Sequence, residues 1–398
     1  MSEKFRVQVL NHISAGGLKR LPWDQFAVSP DGADPHAILV RSADMHAMKV
    51  PESVLAIGRA GSGTNNIPVE QMSARGVPVF NAPGANANAV KELVLAGMLL
   101  AARNLDTALK FVETLDAAVA DLAATVETSK KEFAGFELAG HTLGVVGLGK
   151  IGCLVADAAI KLGMHVIGYD PAITVESAWS LPASVKKAER LSELLKHSHF
   201  ITLHVPLIDA TRNMIDAGGV AQMKHGSVLL NFSRTGVVDE QAVLEGLEDR
   251  QLARYVCDFP ETGLISHPGV TLFPHLGAST REAEENCAVM VADQLRDYLL
   301  DGTIRNAVNF PDVTLPREAP YRVAIANANV PNMVGGISHE MAAAGLNIAT
   351  MTNKSRGDLA YTLVDIDSPV GDDVIRAIAA IDGVLSVRGI PAEMERPA

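Results

Sequence analysis

Apolar residues in this chain fall in short runs of roughly four to seven, and stretches with helical spacing separate the runs. Runs at 7–10, 37–40, 54–57 and 77–80 predict the strands of a small parallel α/β unit. An Ala- and Leu-rich stretch from 87 to about 115 predicts one long helix. From 143 onward the alternation repeats, with strands expected at 143–146, 164–169, 199–205, 227–232, 253–259 and 270–273. Helices are expected to start near Lys150, Leu191, Ala217 and Asp239. Six strands in this rhythm suit a doubly wound parallel sheet. A second long helical stretch, 280–300, can return the chain to the first unit, so that unit is expected to comprise 1–95 and 280–310, with 96–279 inserted. The proline-rich segment 309–320 reads as a linker, with 311–320 as its core. In the remainder, strand 321–327, a helix opened by Pro331, strands 346–351 and 359–366, helix 370–381 and strand 384–390 give a β-α-β-β-α-β order, which is ferredoxin-like.

The strand at 143–146 runs into Gly147-x-Gly149-x-x-Gly152, and the next strand delivers Asp170. Strand, glycine turn, helix, strand and acid occur in the order a dinucleotide site requires. Gly147 permits the tight turn, Gly149 lets backbone approach a pyrophosphate, and Gly152 lets helix and strand pack closely. Asp170 can accept from a ribose diol and repels a 2′-phosphate, so NAD rather than NADP is the expected cofactor.

Composition narrows the rest. At 398 residues, two or three domains are expected. A net charge of -12 without a basic stripe argues against nucleic acid as a partner. Cys153, Cys257 and Cys287 are widely spaced, as in reduced thiols rather than bridges or metal ligands, so no metal is expected. Nothing at the N-terminus has a signal-peptide pattern, and the longest apolar stretch is too short to span a membrane. A cytoplasmic protein is the expectation.

Three further segments carry candidate chemistry. Arg59-Ala-Gly-Ser-Gly-Thr-Asn-Asn66 is either a glycine-rich turn with a surface arginine or an anion cradle, its N–H groups freed by two glycines and reinforced by the fixed charge of Arg59. Arg234 follows the strand at 227–232, where it is a surface residue or the bidentate partner of a substrate carboxylate. His275 stands at another strand end, structural or else a proton carrier that works near neutral pH. Asp258 and Glu261 lie on the same sheet edge, and a carboxylate on the imidazole's second nitrogen would fix the ring.

Together these segments resemble the D-2-hydroxyacid dehydrogenase family over nearly the whole chain. The family's three signatures match 143–152 with Asp170, the stretch from His204-Val-Pro206 to Thr211-Arg212, and 231–240. Arg59–Asn66, Asn81-Ala-Pro-Gly-Ala-Asn86 through Glu92, and 275–280 resemble the branch that acts on 3-phosphoglycerate. The resemblance implies a Rossmann sheet inserted in a smaller flavodoxin-like substrate domain, with 321–398 as an ACT domain, a module that binds amino acids at its interface with a second copy. It gives His275 the acid/base role, and Arg234, with backbone donors at Ser62 and Gly63, the grip on the substrate carboxylate. Arg59 and Asn86 would hold the phosphate end. Gly147, Gly149, Lys150, Ile151, Gly152, Asp170, Pro206, Thr211, Phe232, Ser233, Arg234, Asp258, His275 and Gly277 would line the cofactor.

The chain departs from the family pattern where a glutamate is usual five residues past the aspartate. Gly263 stands there, and Glu261, the nearest carboxylate, is the expected partner of His275. Asn329 and Asn347 match polar residues of the family's serine site, although Asn327 and Asn332 replace a histidine and a glycine common there. The implied reaction is NAD-dependent oxidation of 3-phosphoglycerate at C2, the first step of serine synthesis, in a homodimer or homotetramer with L-serine as the effector. The rivals are a reductase of hydroxypyruvate, glyoxylate or 2-oxoglutarate, and a non-catalytic NAD(H)-sensing protein.

Overall fold

In the computed structural model, residues 4–116 and 121–390 are described. The last residues of the expected ACT domain, 391–398, and residues 1–3 of the N-terminal segment lie outside the described residues. The chain forms two compact units, one from 1–86 and 281–398 and the other from 87–280. The sequence expectation put the first crossing at residue 95. Here the helix Ala87–Arg103 packs on the helix Lys150–Lys161 and goes with the second unit.

The first unit holds a five-stranded parallel sheet of β1 (Phe5–Leu10), β2 (Phe26–Ser29), β3 (Ala37–Val40), β4 (Ala56–Arg59) and β5 (Val79–Phe80), in the order β2-β1-β3-β4-β5. That order is flavodoxin-like. The apolar run of β3 is buried throughout, as expected of a parallel strand covered on both faces. β2 spans only four residues, of which Ala27 and Ser29 are exposed, so its apolar run is too short to announce a strand.

The second unit contains a seven-stranded parallel sheet of β6 (Thr142–Val146), β7 (His165–Tyr169), β8 (Lys186–Lys187), β9 (Phe200–Leu203), β10 (Ser227–Asn231), β11 (Leu252–Cys257) and β12 (Val270–Leu272). Its order is β12-β11-β10-β9-β6-β7-β8, so the winding reverses between β6 and β9, the doubly wound arrangement. Apolar clusters cover both faces. The expected single helix from 87 to about 115 is two, Ala87–Arg103 and Leu105–Glu113, because Asn104 between them takes a left-handed conformation (φ 48°).

The C-terminal strands β13 (Tyr321–Ala328), β14 (Ile348–Arg356), β15 (Leu359–Ile366) and β16 (Val384–Ile390) form an antiparallel sheet in the order β14-β15-β13-β16. With the helices Met333–Ala343 and Asp372–Ala379, this is the ferredoxin-like βαββαβ fold. The first of these helices starts after Asn332 (φ 66°), two residues beyond Pro331. One sheet face, with Val323, Ile325 and Val364, packs on the helices. The other, with Ala324, Tyr361, Leu363 and Ile390, joins the core built by Phe80, Tyr298 and Phe310. Segment 309–320 is therefore not a free linker: Phe310, Val313 and Leu315 are buried in that shared core. Among the described residues, no helix is long and apolar enough to cross a membrane.

Candidate active site

In the second unit, β6 leads into Gly147, whose φ of +89° suits glycine alone. A side chain at Gly152 would strike the Gly147 carbonyl, so this glycine permits the close packing of helix on strand. At Gly149, the residue before the helix Lys150–Lys161, the space for a side chain is open. Backbone N–H groups at that helix end, including those of Lys150 and Ile151, suit a phosphate. Asp170 follows β7 and is held by the same turn. Its Oδ2 accepts from Leu148 N at 2.8 Å and its Oδ1 from Ala172 N at 2.9 Å. The residues present therefore fit a dinucleotide.

The wall beyond is held by local bonds. Thr211 Oγ1 donates to the Pro206 carbonyl at 2.6 Å, tying that loop closed. Ser233 Oγ donates to Asn231 Oδ1 at 2.9 Å, and both residues are buried. The Phe232 ring lies in the core against Phe273, so its expected place against the cofactor can involve only its backbone.

Arg234 follows β10, its Nη1 donating to the Ser233 carbonyl at 2.7 Å while its own carbonyl accepts from Asn231 Nδ2 at 3.0 Å. The side chain reaches solvent on one side, and the protein crowding its other side lowers its pKa from the ordinary value. Past β12, His275 is exposed in a left-handed conformation (φ 57°), with Phe259 edge-on to its ring at 5.1 Å. The loop it rides on is pinned by Asp258. Leu276 N donates to Asp258 Oδ1 at 2.7 Å, Gly277 N to Oδ2 at 2.8 Å, and His275 N to the Asp258 carbonyl at 3.0 Å. Burial pushes the Asp258 carboxyl up, against the pull of those N–H groups and of His275. This anchoring role went unseen in the sequence; its signal was an aspartate at a strand end, seventeen positions before the histidine.

Among the described residues, no hydrogen bond or ion pair joins Glu261 to His275, the partner expected for it. Glu261 sits beside Glu240, and burial, followed by the hydrogen bond and like charge of Glu240, raises its carboxyl pKa. Glu240 occupies the space a side chain at Gly263 would need.

In the first unit, Arg59 ends β4 and its Nε donates to the Arg41 carbonyl at 3.1 Å. Ser62 and Gly63 follow in the turn. Asn86 is buried, with no partner for its Oδ1, an acceptor that a ligand or water can satisfy. Asn329 and Asn347 are not brought together within one chain. Asn329 donates to the Gly357 carbonyl at one end of β15, and Asn347 to Asp367 at the other. At a rise of about 3.3 Å per residue, those ends lie roughly 25 Å apart.

Burial pushes the His204 imidazole, whose Nε2 meets Thr202 Oγ1 at 3.0 Å, down to about 3. Unfolded histidine titrates near 6.5. Between those values the unfolded chain binds a proton the folded one refuses, so stability should fall as pH drops through that window, by up to ~1.4 kcal/mol per unit. Urea unfolding at pH 7 and pH 5 checks this. His204→Gln should flatten the difference, and an unchanged slope would assign it to other groups.

Residues 95–277 match the family model "D-isomer specific 2-hydroxyacid dehydrogenase, NAD binding domain". A D-3-phosphoglycerate dehydrogenase of Escherichia coli K12 is 34% identical over 89% of this chain and 87% of its own length. One from Haemophilus influenzae is 32% identical over 95% and 93%. A solved NAD+-bound 3-phosphoglycerate dehydrogenase of Entamoeba histolytica superposes with a TM-score of 0.61 at 25% identity, covering 77% of this chain and 99% of its own. On this similarity in sequence and fold, the chain belongs to the D-2-hydroxyacid dehydrogenase family.

Proposed function

We propose that this NAD-dependent oxidoreductase oxidises the C2 hydroxyl of 3-phosphoglycerate to the ketone of 3-phosphohydroxypyruvate, reversibly, at the head of serine synthesis. The observation that carries the reading is the exposed imidazole of His275 on a loop anchored by Asp258, at the same sheet edge as Arg234. When bound, NAD supplies a hydride acceptor. His275 takes the hydroxyl proton and returns it in the reverse direction. Arg234 fixes the substrate carboxylate, and with it the direction of the C2–H bond. Asp258 keeps the histidine loop in place and sets a negative charge beside the imidazole. In the first unit, the N–H groups of Ser62 and Gly63 are the proposed donors to the carboxylate, with Arg59 and Asn86 toward the phosphate.

A substrate panel tests the reading. Catalytic efficiency on phosphohydroxypyruvate should exceed that on hydroxypyruvate, glyoxylate or 2-oxoglutarate by roughly 10- to 100-fold, the scale of one or two charge-assisted hydrogen bonds. A preference for an unphosphorylated acid would overturn the substrate. NADH binding without turnover of any of the four would favour a sensing protein.

We also read the C-terminal ferredoxin-like domain as an ACT module for L-serine. Because Asn329 and Asn347 lie at opposite ends of one domain, a serine touching both must sit between two copies, which calls for a homodimer or homotetramer. Millimolar serine added to the same assay should inhibit, and full activity would remove the effector. The cytoplasm suits the three free, buried cysteines.

A further inference from the structure

We propose that Asn81 is a positioning residue that aims the substrate-carboxylate donors, and that Arg356 of the C-terminal domain holds Asn81 in place. This rests on the reading of Ser62 and Gly63 as those donors.

A planar trans peptide points its N–H opposite to its C=O, so gripping a carbonyl aims the next residue's N–H. Two consecutive carbonyls of the turn are gripped from one side. Ala82 N donates to the Gly61 carbonyl at 2.9 Å, and Asn81 Nδ2 donates to the Ser62 carbonyl at 2.6 Å. The N–H groups of Ser62 and Gly63 therefore point away from 81–82 on a common side. Neither donates to a protein acceptor among the described residues. Successive, unspent N–H groups in a bend are suited to receive an anion. The Ala82 bond comes from backbone and survives any side-chain change, whereas the second grip depends on the amide of Asn81 alone.

Asn81 is in turn fixed by the segment that follows the long helix Arg281–Asp301. Val308 N donates to the Val79 carbonyl at 2.8 Å, Phe80 and Ala307 form an antiparallel bridge, and Asn81 N reaches the Asn306 carbonyl at 3.5 Å. Arg356, at the end of β14, donates from Nη1 to the Ala307 carbonyl at 3.0 Å. Arg356 and Asn81 share the lining of one open cavity of about 530 Å³ with Asn306, Ala307 and Asp312. The C-terminal domain thus reaches the substrate turn through one guanidinium, one bridged strand and one amide.

The experiment measures KM for 3-phosphoglycerate, kcat and NADH affinity in the full-length enzyme. Asn81→Ala should raise KM about five- to tenfold, the worth of one hydrogen bond to a well-placed group, with NADH affinity unchanged. Asn81→Asp keeps the shape but turns a carboxylate toward the Ser62 carbonyl, so it should raise KM further than alanine does. A merely space-filling role predicts the opposite order, and that order would overturn the proposal. Arg356→Ala should raise KM two- to fivefold in the wild-type background and not at all on top of Asn81→Ala. Multiplying effects would refute the link between the two. Arg59→Ala separates the premises. If it raises KM while Asn81→Asp does not, the positioning role fails and the substrate site stands. If neither moves KM, the substrate site itself is wrong.

Discussion

Replacing His275 by alanine is expected to lower kcat by roughly 10²–10⁴, the usual contribution of a positioned acid/base, while NADH affinity stays within about twofold. The anchor of the loop explains why the effect should be confined to chemistry. Asp258 bonds the backbone N–H groups of His275, Leu276 and Gly277, none of which the substitution removes. The left-handed backbone at position 275 (φ 57°) already carries a non-glycine residue, so alanine adds little strain. His275→Asn offers a second variant, since asparagine tolerates this conformation better and still lacks a suitable base. Single-turnover hydride transfer, followed as NADH absorbance, reads the step. A kcat within tenfold of the parent for both variants would move the proton to another group. The same assay separates two views of the neighbouring carboxylates. With Glu261 beside Glu240 rather than the imidazole, Glu261→Gln should cost less than tenfold.

The dinucleotide turn was legible in the sequence because its constraints are local. Gly147, Gly152 and Asp170 act within one strand-turn-helix-strand unit, and each requirement falls on a fixed residue type. The ferredoxin-like order was equally readable, since β13, β15 and β16 are mainly apolar segments, each broken by a few polar residues such as Arg322, Asp365 and Arg388. What escaped depends on partners distant along the chain. The prolines of 309–320 signalled a linker, yet Phe310, Val313 and Leu315 bury in a core supplied by β5, the long helix and the C-terminal sheet. Asn104 broke an Ala- and Leu-rich helix by adopting a conformation that composition does not announce. Glu261 is the carboxylate nearest in sequence to the family position, but its carboxyl is hydrogen-bonded with Glu240, twenty-one positions earlier. The clasp of Asn81 on Ser62 joins two motifs that lie nineteen residues apart in sequence.

Exchanging Asp365 for alanine should destabilise the first unit by about 3–5 kcal/mol, the cost of stranding a buried charge. Arg322 on β13 is fully buried and faces Asp365 directly across the β13–β15 pair. Its Nε donates to Asp365 Oδ1 at 2.6 Å and its Nη2 to Oδ2 at 2.9 Å, a bidentate pair. The same guanidinium donates to the carbonyls of Leu315 at 2.9 Å and Asp301 at 3.0 Å, so it joins the C-terminal sheet to the packed segment and to the end of the long helix. Burial works to lower the pKa of Arg322, but the bonds and charges of Asp365 and Asp301 outweigh it and raise the pKa. After Asp365→Ala, only the partly exposed Asp301 side chain, at 3.0 Å, remains to balance the charge. Arg322→Met combined with Asp365→Leu removes both charges together, and should recover most of the loss if apolar side chains fill the space. Urea midpoints followed by circular dichroism decide between the outcomes. A single variant costing under about 1 kcal/mol would mean that water reaches the guanidinium, and that the apolar contacts of Tyr361, Leu363 and Ile390 alone hold the C-terminal sheet on its unit.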